Sequence, residues 1–189
     1  MSPVKAEASR RYATVRTRAG TPEPVIEVQY AVNRSGVPHP STLRRWARSA
    51  LQLSGAVAPR AVRKPPASLT VRVVGATEGR LLNRRWRGKD KTTNVLSFPA
   101  GDLPPGQHET LPLGDIVICA PVIRREAMEQ FKSLTSHWAH MVIHGTLHLL
   151  GYDHEAKGDA AVMEQKERQL MAGLGFADPY LLLKDARRR

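Results

Sequence analysis

Apolar residues recur along this chain in two rhythms, and together they predict most of its elements. Alternation marks strands. Ile26 and Val28 alternate with Glu27 and Gln29, which predicts a first strand over 25–31. Leu69-Thr70-Val71-Arg72-Val73-Val74 alternates like a half-buried strand, and Val95-Leu96-Ser97-Phe98 reads as a buried strand ended by Pro99. Leu113 to Cys119 predicts a fourth. The helical rhythm begins after Ser41, a good N-cap, with Leu43, Trp46, Ala47, Ala50 and Leu51 on one side and Arg44, Arg45 and Arg48 on a solvated other side. Further helices are predicted over 77–86, from Val122 to Phe131, from about Ser133 to Leu150, and over 158–172. Leu134, Trp138, Met141, Val142 and Leu149 share one face of the fourth helix, and Val162, Met163, Leu170 and Met171 face inward on the last. A proline-rich linker at 58–67 and a loop at 100–112 separate these segments. Strands grouped early and helices grouped late predict an α+β fold, a small sheet with about five helices stacked on it.

Length sharpens this to one domain, since 189 residues bury one ordinary core. No apolar stretch approaches the ~20 residues of a membrane span, and the N-terminus lacks the apolar region of a secretory signal. Residues 1–24 carry Lys5, Arg10, Arg11, Arg16 and Arg18 among small residues and prolines without periodicity, so they read as a basic, disordered extension. The single cysteine, Cys119, lies in an apolar run and predicts an inert buried thiol, as expected of a cytoplasmic protein in a reducing cytosol. Lysine and arginine number 29 against 17 acidic residues, a net charge of +12 that draws polyanions, which favours nucleic acid among partners.

The chemistry concentrates in His144-Gly145-Thr146-Leu147-His148-Leu149-Leu150-Gly151-Tyr152-Asp153-His154. His144 and His148, four residues apart, project from one helix face about one turn from each other. Gly151 can take the left-handed conformation that ends a helix, and the chain can then return His154 to the same point. Three neutral imidazoles with no obvious fourth protein donor are how a catalytic zinc is held, one position staying open to water or substrate. Helix geometry alone leaves the register undecided, because His137, His140, His144 and His148 all fall within an ~80° stripe. His140 with His144 is an equally good pair on that ground. The downstream turn favours His144, His148 and His154, and leaves His137 and His140 as polar neighbours of the site or of the buried face. The spacing is also that of metzincin peptidases, which carry Glu directly after the first His as general base. Gly145 stands there and can accept no proton.

The same run resembles the signature of the YbeY-type endoribonucleases, bacterial ribosomal RNA maturation factors. The resemblance extends to Leu82-Asn83, Arg87-Gly88-Lys89-Asp90-Lys91, Thr93-Asn94-Val95-Leu96-Ser97-Phe98-Pro99, Gly114-Asp115-Ile116 and Pro179-Tyr180. Thr92 departs from it, where many relatives have proline. The likeness covers roughly 25–182, one metal-dependent endoribonuclease domain; the extension and the basic 183–189 tail have no counterpart. It implies one Zn2+ per chain on His144, His148 and His154, at the end of a cleft floored by a small mixed sheet. It also implies a single-stranded RNA substrate, a role in small-subunit rRNA maturation and ribosome quality control, and contact with the ribosome or ribosomal proteins.

The likeness further points to Arg87 as the functional arginine beside the metal, and Arg87 and His144 are taken as the catalytic residues. A guanidinium suits that place because its planar fork pairs with two phosphate oxygens. Asp153 could orient an imidazole, and Tyr152 is read as packing at the helix end. Asn94 and Ser97 are candidates to line the cleft. Two other readings compete: a non-catalytic RNA- or ribosome-binding module with structural zinc, and a metal-dependent hydrolase of another substrate. Structural zinc usually closes all four positions, often with cysteine.

Overall fold

The computed structural model describes residues 23–53, 65–101, 109–153 and 157–181. Most of the basic extension, the linker as far as residue 64, the 183–189 tail and His154 lie outside the described residues. Within them the order is β1 (Val25–Tyr30), α1 (Pro40–Leu53), β2 (Ala67–Val74), α2 (Ala76–Arg87), β3 (Val95–Pro99), β4 (Leu111–Cys119), α3 (Ala120–Glu129), α4 (Leu134–Leu149) and α5 (Lys157–Gly173). The fold is α+β, a small mixed sheet with five helices. Its strand order is β1-β2-β4-β3; β1 and β4 run parallel to β2, and β3 is antiparallel to β4. The grounds for α+β need amending, because strands and helices alternate through the first half. That alternation produces the parallel pairs, since a parallel neighbour requires a crossover connection.

Period-two patterning gives the sheet two unlike faces. Ile26, Leu69, Val71, Val73, Ile116 and Ile118 join the main core with α1, α4 and α5, where Trp46, Trp138, Ile143, Leu147 and Met171 are fully enclosed. The other face holds a smaller cluster of Val74, Leu96, Val117, Cys119 and Val122, with Leu82 of α2 against it. Cys119 is buried there, its Sγ 3.7 Å from the Gly75 carbonyl, and burial pushes its thiol pKa up. The buried thiol expected from the sequence is what stands there.

Several boundaries differ from expectation, each for a local reason. Helix α1 begins at Pro40 rather than after Ser41: proline fits a first helical position, and the preceding His39 turns Nδ1 to the Ser41 hydroxyl at 2.8 Å. Helix α3 begins two residues early and stops at Glu129, leaving Phe131 at φ 53° and 90% exposed. Strand β4 starts at Leu111, where the Leu111 amide donates to the Pro66 carbonyl at 2.8 Å beside β2. Strand β3 is an edge strand, with Val95 and Phe98 only half-buried. On α5, Met163, Leu170 and Met171 are buried as expected, but Val162 is 49% exposed. Its place in the inward stripe is taken by Glu167.

Helix α4 occupies the centre. Ser133 caps it, its hydroxyl accepting from the Ser136 amide at 3.1 Å. From His137 onward it is enclosed on almost every side, not on one face as an amphipathic pattern predicts. Gly145 allows this depth. A Cβ built there would lie 2.7 Å from Ile116 Cγ2 and 3.3 Å from Val95 Cγ2. Gly145→Ala gains about 1 kcal/mol of helix propensity, yet must push the helix off a β-branched strand residue. The net expected effect is a loss of about 1–2 kcal/mol, read as a lower urea midpoint; an unchanged or higher midpoint contradicts tight packing at this contact.

Candidate metal centre and adjoining cleft

The end of α4 is shaped by its backbone. The Tyr152 amide donates to the Leu147 carbonyl at 3.1 Å and the Gly151 amide to the His148 carbonyl at 3.0 Å, the paired bonds of a Schellman motif. Gly151 stands at φ 85°, the left-handed conformation expected of it. Tyr152 packs against the main core, with the Lys166 ammonium 5.3 Å from its ring centre.

Between Met141 and Leu149 only His144 and His148 are not buried. Their rings lie 4.6 Å apart between centres, and their Nε2 atoms face each other at 3.1 Å. Two nitrogens bound about 2.0–2.1 Å from one tetrahedral ion stand about 3.3 Å apart. The observed separation therefore fits a pair of ligands sharing an ion.

Behind them lies a carboxylate. Glu167 of α5 is fully buried, and its Oε1 accepts from His144 Nδ1 at 2.8 Å. A proton on Nδ1 leaves the Nε2 lone pair of His144 pointing outward, the state a metal ligand needs. The other carboxylate oxygen accepts from His140 Nε2 at 3.2 Å and from the Tyr180 hydroxyl. Burial alone raises the Glu167 carboxyl, but the hydrogen bonds from His140 and His144 outweigh it and hold the group far below the usual carboxylate range. Burial pushes the His140 imidazole down, so it donates as a neutral ring. Burial, together with the Glu167 charge, pushes the Tyr180 hydroxyl well up, keeping it a donor. Arg168 steadies Tyr180, its guanidinium 4.8 Å from the ring centre and paired with Glu164 at 2.8 Å and Asp178 at 3.3 Å.

The remaining histidine of the stripe belongs to a second polar cluster. His137 Nε2 donates to Glu126 Oε2 at 2.8 Å, and Asn94 Nδ2 donates to the same oxygen at 3.1 Å. Asn94 thus ties the start of β3 to α3 and α4. His140 and His137 are both spoken for by carboxylates, and the histidine pair whose nitrogens meet is His144 with His148. Among the described residues no group of three ligating side chains is poised around one ion. His154, the expected third ligand, lies outside those residues.

Arg87 ends α2, where Gly88 turns left-handed at φ 66°. Its Nη2 donates to the Ser97 carbonyl at 3.3 Å, while the Ser97 hydroxyl donates to the Gly145 carbonyl at 3.2 Å. One residue of the edge strand thus connects the arginine to the backbone beside His144. Arg87 and Ser97 also line a cleft of about 680 Å³ over the less covered face of the sheet, walled by Leu82 and Trp86 and floored by Arg72 and Asp115.

Glu167, Tyr180 and Glu126 carry no assigned part in the sequence reading, where Tyr180 figures only in the family resemblance. One signal was there for Glu167: it falls at helical spacing from Met163, Leu170 and Met171, a carboxylate on an apolar stripe. Nothing comparable marks Glu126, which meets its partners only through the packing of α3 on α4.

Fold and site define an α+β domain with a histidine pair backed by a buried carboxylate. The family model described as Endoribonuclease YbeY matches residues 29–175, and the chain belongs to that family. A protein of Alkalilimnicola ehrlichii named Endoribonuclease YbeY is 55% identical over 159 residues, covering 83% of this chain and 91% of that one. One of Stenotrophomonas maltophilia with the same name is 49% identical over 158 residues, covering 82% and 92%. A solution structure of a Thermotoga maritima protein, 22% identical, matches with a TM-score of 0.49 over 82% of this chain and 98% of that one.

Two outcomes are expected of the carboxylates. Glu167→Gln offers one acceptor where two oxygens serve three donors, and zinc affinity should fall about 10–100-fold in a competition titration; unchanged affinity would separate Glu167 from the centre. Burial raises Glu126, but its bonds to His137 and Asn94 bring it below the ordinary 4.5. A depressed carboxyl stabilises above its unfolded pKa, and that contribution is lost as pH falls through the folded value. Glu126→Gln should therefore flatten the loss of stability between about pH 5 and 3, measured as the urea midpoint against pH. An identical profile would show that the cluster adds nothing.

Proposed function

We propose that this chain is a zinc-dependent, single-strand-specific endoribonuclease of the cytoplasm, acting on small-subunit rRNA in maturation and ribosome quality control. The observation that carries this reading is the approach of His144 Nε2 to His148 Nε2 in a chain of the Endoribonuclease YbeY family. His154 completes the ligand set in this proposal. A zinc held there supplies acidification of a water, whose pKa falls to about 7, and polarisation of a phosphoryl oxygen.

The chain's own residues do the rest. Glu167 accepts the Nδ1–H of His144, fixing the ring orientation and, in the neutral ring, the tautomer whose Nε2 is the acceptor. Arg87 sets its guanidinium against the non-bridging oxygens of the scissile phosphate, where charge accumulates as the phosphodiester opens. The Ser97 carbonyl restrains that side chain at one nitrogen and leaves the fork's other donors for phosphate. The surplus of cations, +12 over the chain, concentrates RNA at the surface. Gly145 speaks against the peptidase alternative: lying against Ile116 and Val95, it has no room for the glutamate a metzincin places there.

The test uses nuclease-free full-length protein on single-stranded RNA and on casein, with and without a chelator. Cleavage of RNA alone, abolished by chelation, is the expected result. His148→Ala should lose bound zinc and RNA cleavage together. Arg87→Glu should keep its zinc while cleavage slows about 100-fold or more. RNA cleavage that survives loss of the metal overturns the zinc-dependent reading, and full cleavage by the arginine variant removes Arg87 from its role.

A further inference from the structure

We propose that Trp86 is a stacking platform for an unpaired RNA base in the cleft, a substrate-positioning residue distinct from the histidine centre. The proposal rests on the reading of this chain as an RNA-cleaving enzyme and adds to it which part of the RNA enters the cleft. Trp86 lies on the last turn of α2 and is 59% exposed, an unusual state for the largest apolar side chain. It is held rather than loose. Its ring meets Phe98 of β3 edge-to-face at 5.9 Å and 67°, and the Arg85 guanidinium lies 5.4 Å from its centre. Both aromatic rings line the cleft beside Arg87 and Ser97.

The charges around the ring decide which way a strand lies. The floor is poor in uncompensated cations: Arg72 donates to Glu78 at 2.8 Å and to Gln29 at 3.1 Å, and Asp115 stands beside it. Phosphates are repelled by that carboxylate, whereas base edges with N–H donors are not. The last turn of α2 is the opposite, with Arg87 lining the cleft and the Arg85 guanidinium at the Trp86 ring. A strand lying in the cleft therefore sets its phosphates along the helix end and turns a base inward onto Trp86. Every base offers a π face, so such stacking tolerates sequence but demands an unpaired nucleotide. A duplex keeps its bases stacked on one another and cannot supply one.

The chain has three tryptophans, and Trp46 and Trp138 are fully buried, so quenching of tryptophan fluorescence by added RNA reports on Trp86. Single-stranded RNA titrated into the full-length protein should quench this emission, and duplex RNA of the same length should not. Trp86→Ala should weaken single-strand binding about tenfold, within the range that loss of one base stack causes. Trp86→Phe should recover most of that affinity without the fluorescence change. Binding with no quench, equal quenching by duplex, or full affinity in Trp86→Ala overturns the platform while RNA cleavage stands. Absence of both binding and cleavage overturns the platform together with the proposed function.

Discussion

The site depends on how closely α4 approaches the sheet. At Gly145 the helix backbone lies directly on Ile116 and Val95, nearer than any side chain permits. That contact sets the depth of the helix, and depth decides what each histidine meets. His137 and His140 are carried inside, where the Nε2 of each meets a carboxylate. His144 and His148, on either side of the glycine in the chain, stay at the boundary with solvent. A bulkier residue at 145 would lift the helix and change all four environments at once.

Burying Glu167 would be prohibitive if it stood alone, since a desolvated carboxylate is among the costliest groups to enclose. Three donors make it tolerable: His144, His140 and Tyr180, brought from α4 and from the segment after α5. The arrangement works in both directions. The donors keep the carboxylate ionised, and the carboxylate keeps the proton of His144 on Nδ1. The Asn94–Glu126–His137 cluster repeats this logic about two turns before His144 on the same helix, and among the described residues it has no member at the solvent boundary paired with it as His148 is with His144. One cluster fastens β3 to two helices; the other orients the ring of His144.

The unequal faces of the sheet explain where the cleft lies. The main core takes the face toward α1 and α4, while the other is covered mainly where α2 crosses β3 and β4. The remainder forms the cleft, and β3, as edge strand, brings Ser97 within reach of both Arg87 and Gly145. A single strand residue thereby couples the basic end of α2 to the helix that bears the histidines. Placing the two polar halves of the site on different elements requires such a coupling.

Local pattern was enough for much of this protein. The alternation of β2, the glycine-ended helix α4, the inward stripe of α1 and the histidine run are short-range properties, and hydrophobic period and turn chemistry encode them directly. Helix geometry treats the four histidines of the stripe alike, and in the sequence only the turn at Gly151 favoured His148 over His140 as partner of His144. What that local pattern does not contain is Glu167, twenty-three residues from His144 in the chain, which reaches His140 and His144, while His148 Nε2 meets His144 Nε2. The exposure of Val162, the enclosure of α4 and the link from Arg87 through Ser97 are likewise products of which surfaces meet. Periodicity tells a residue which side of its own element it occupies. Only assembly of the elements says what stands opposite, and for a charged or metal-binding group the opposite partner determines its chemistry.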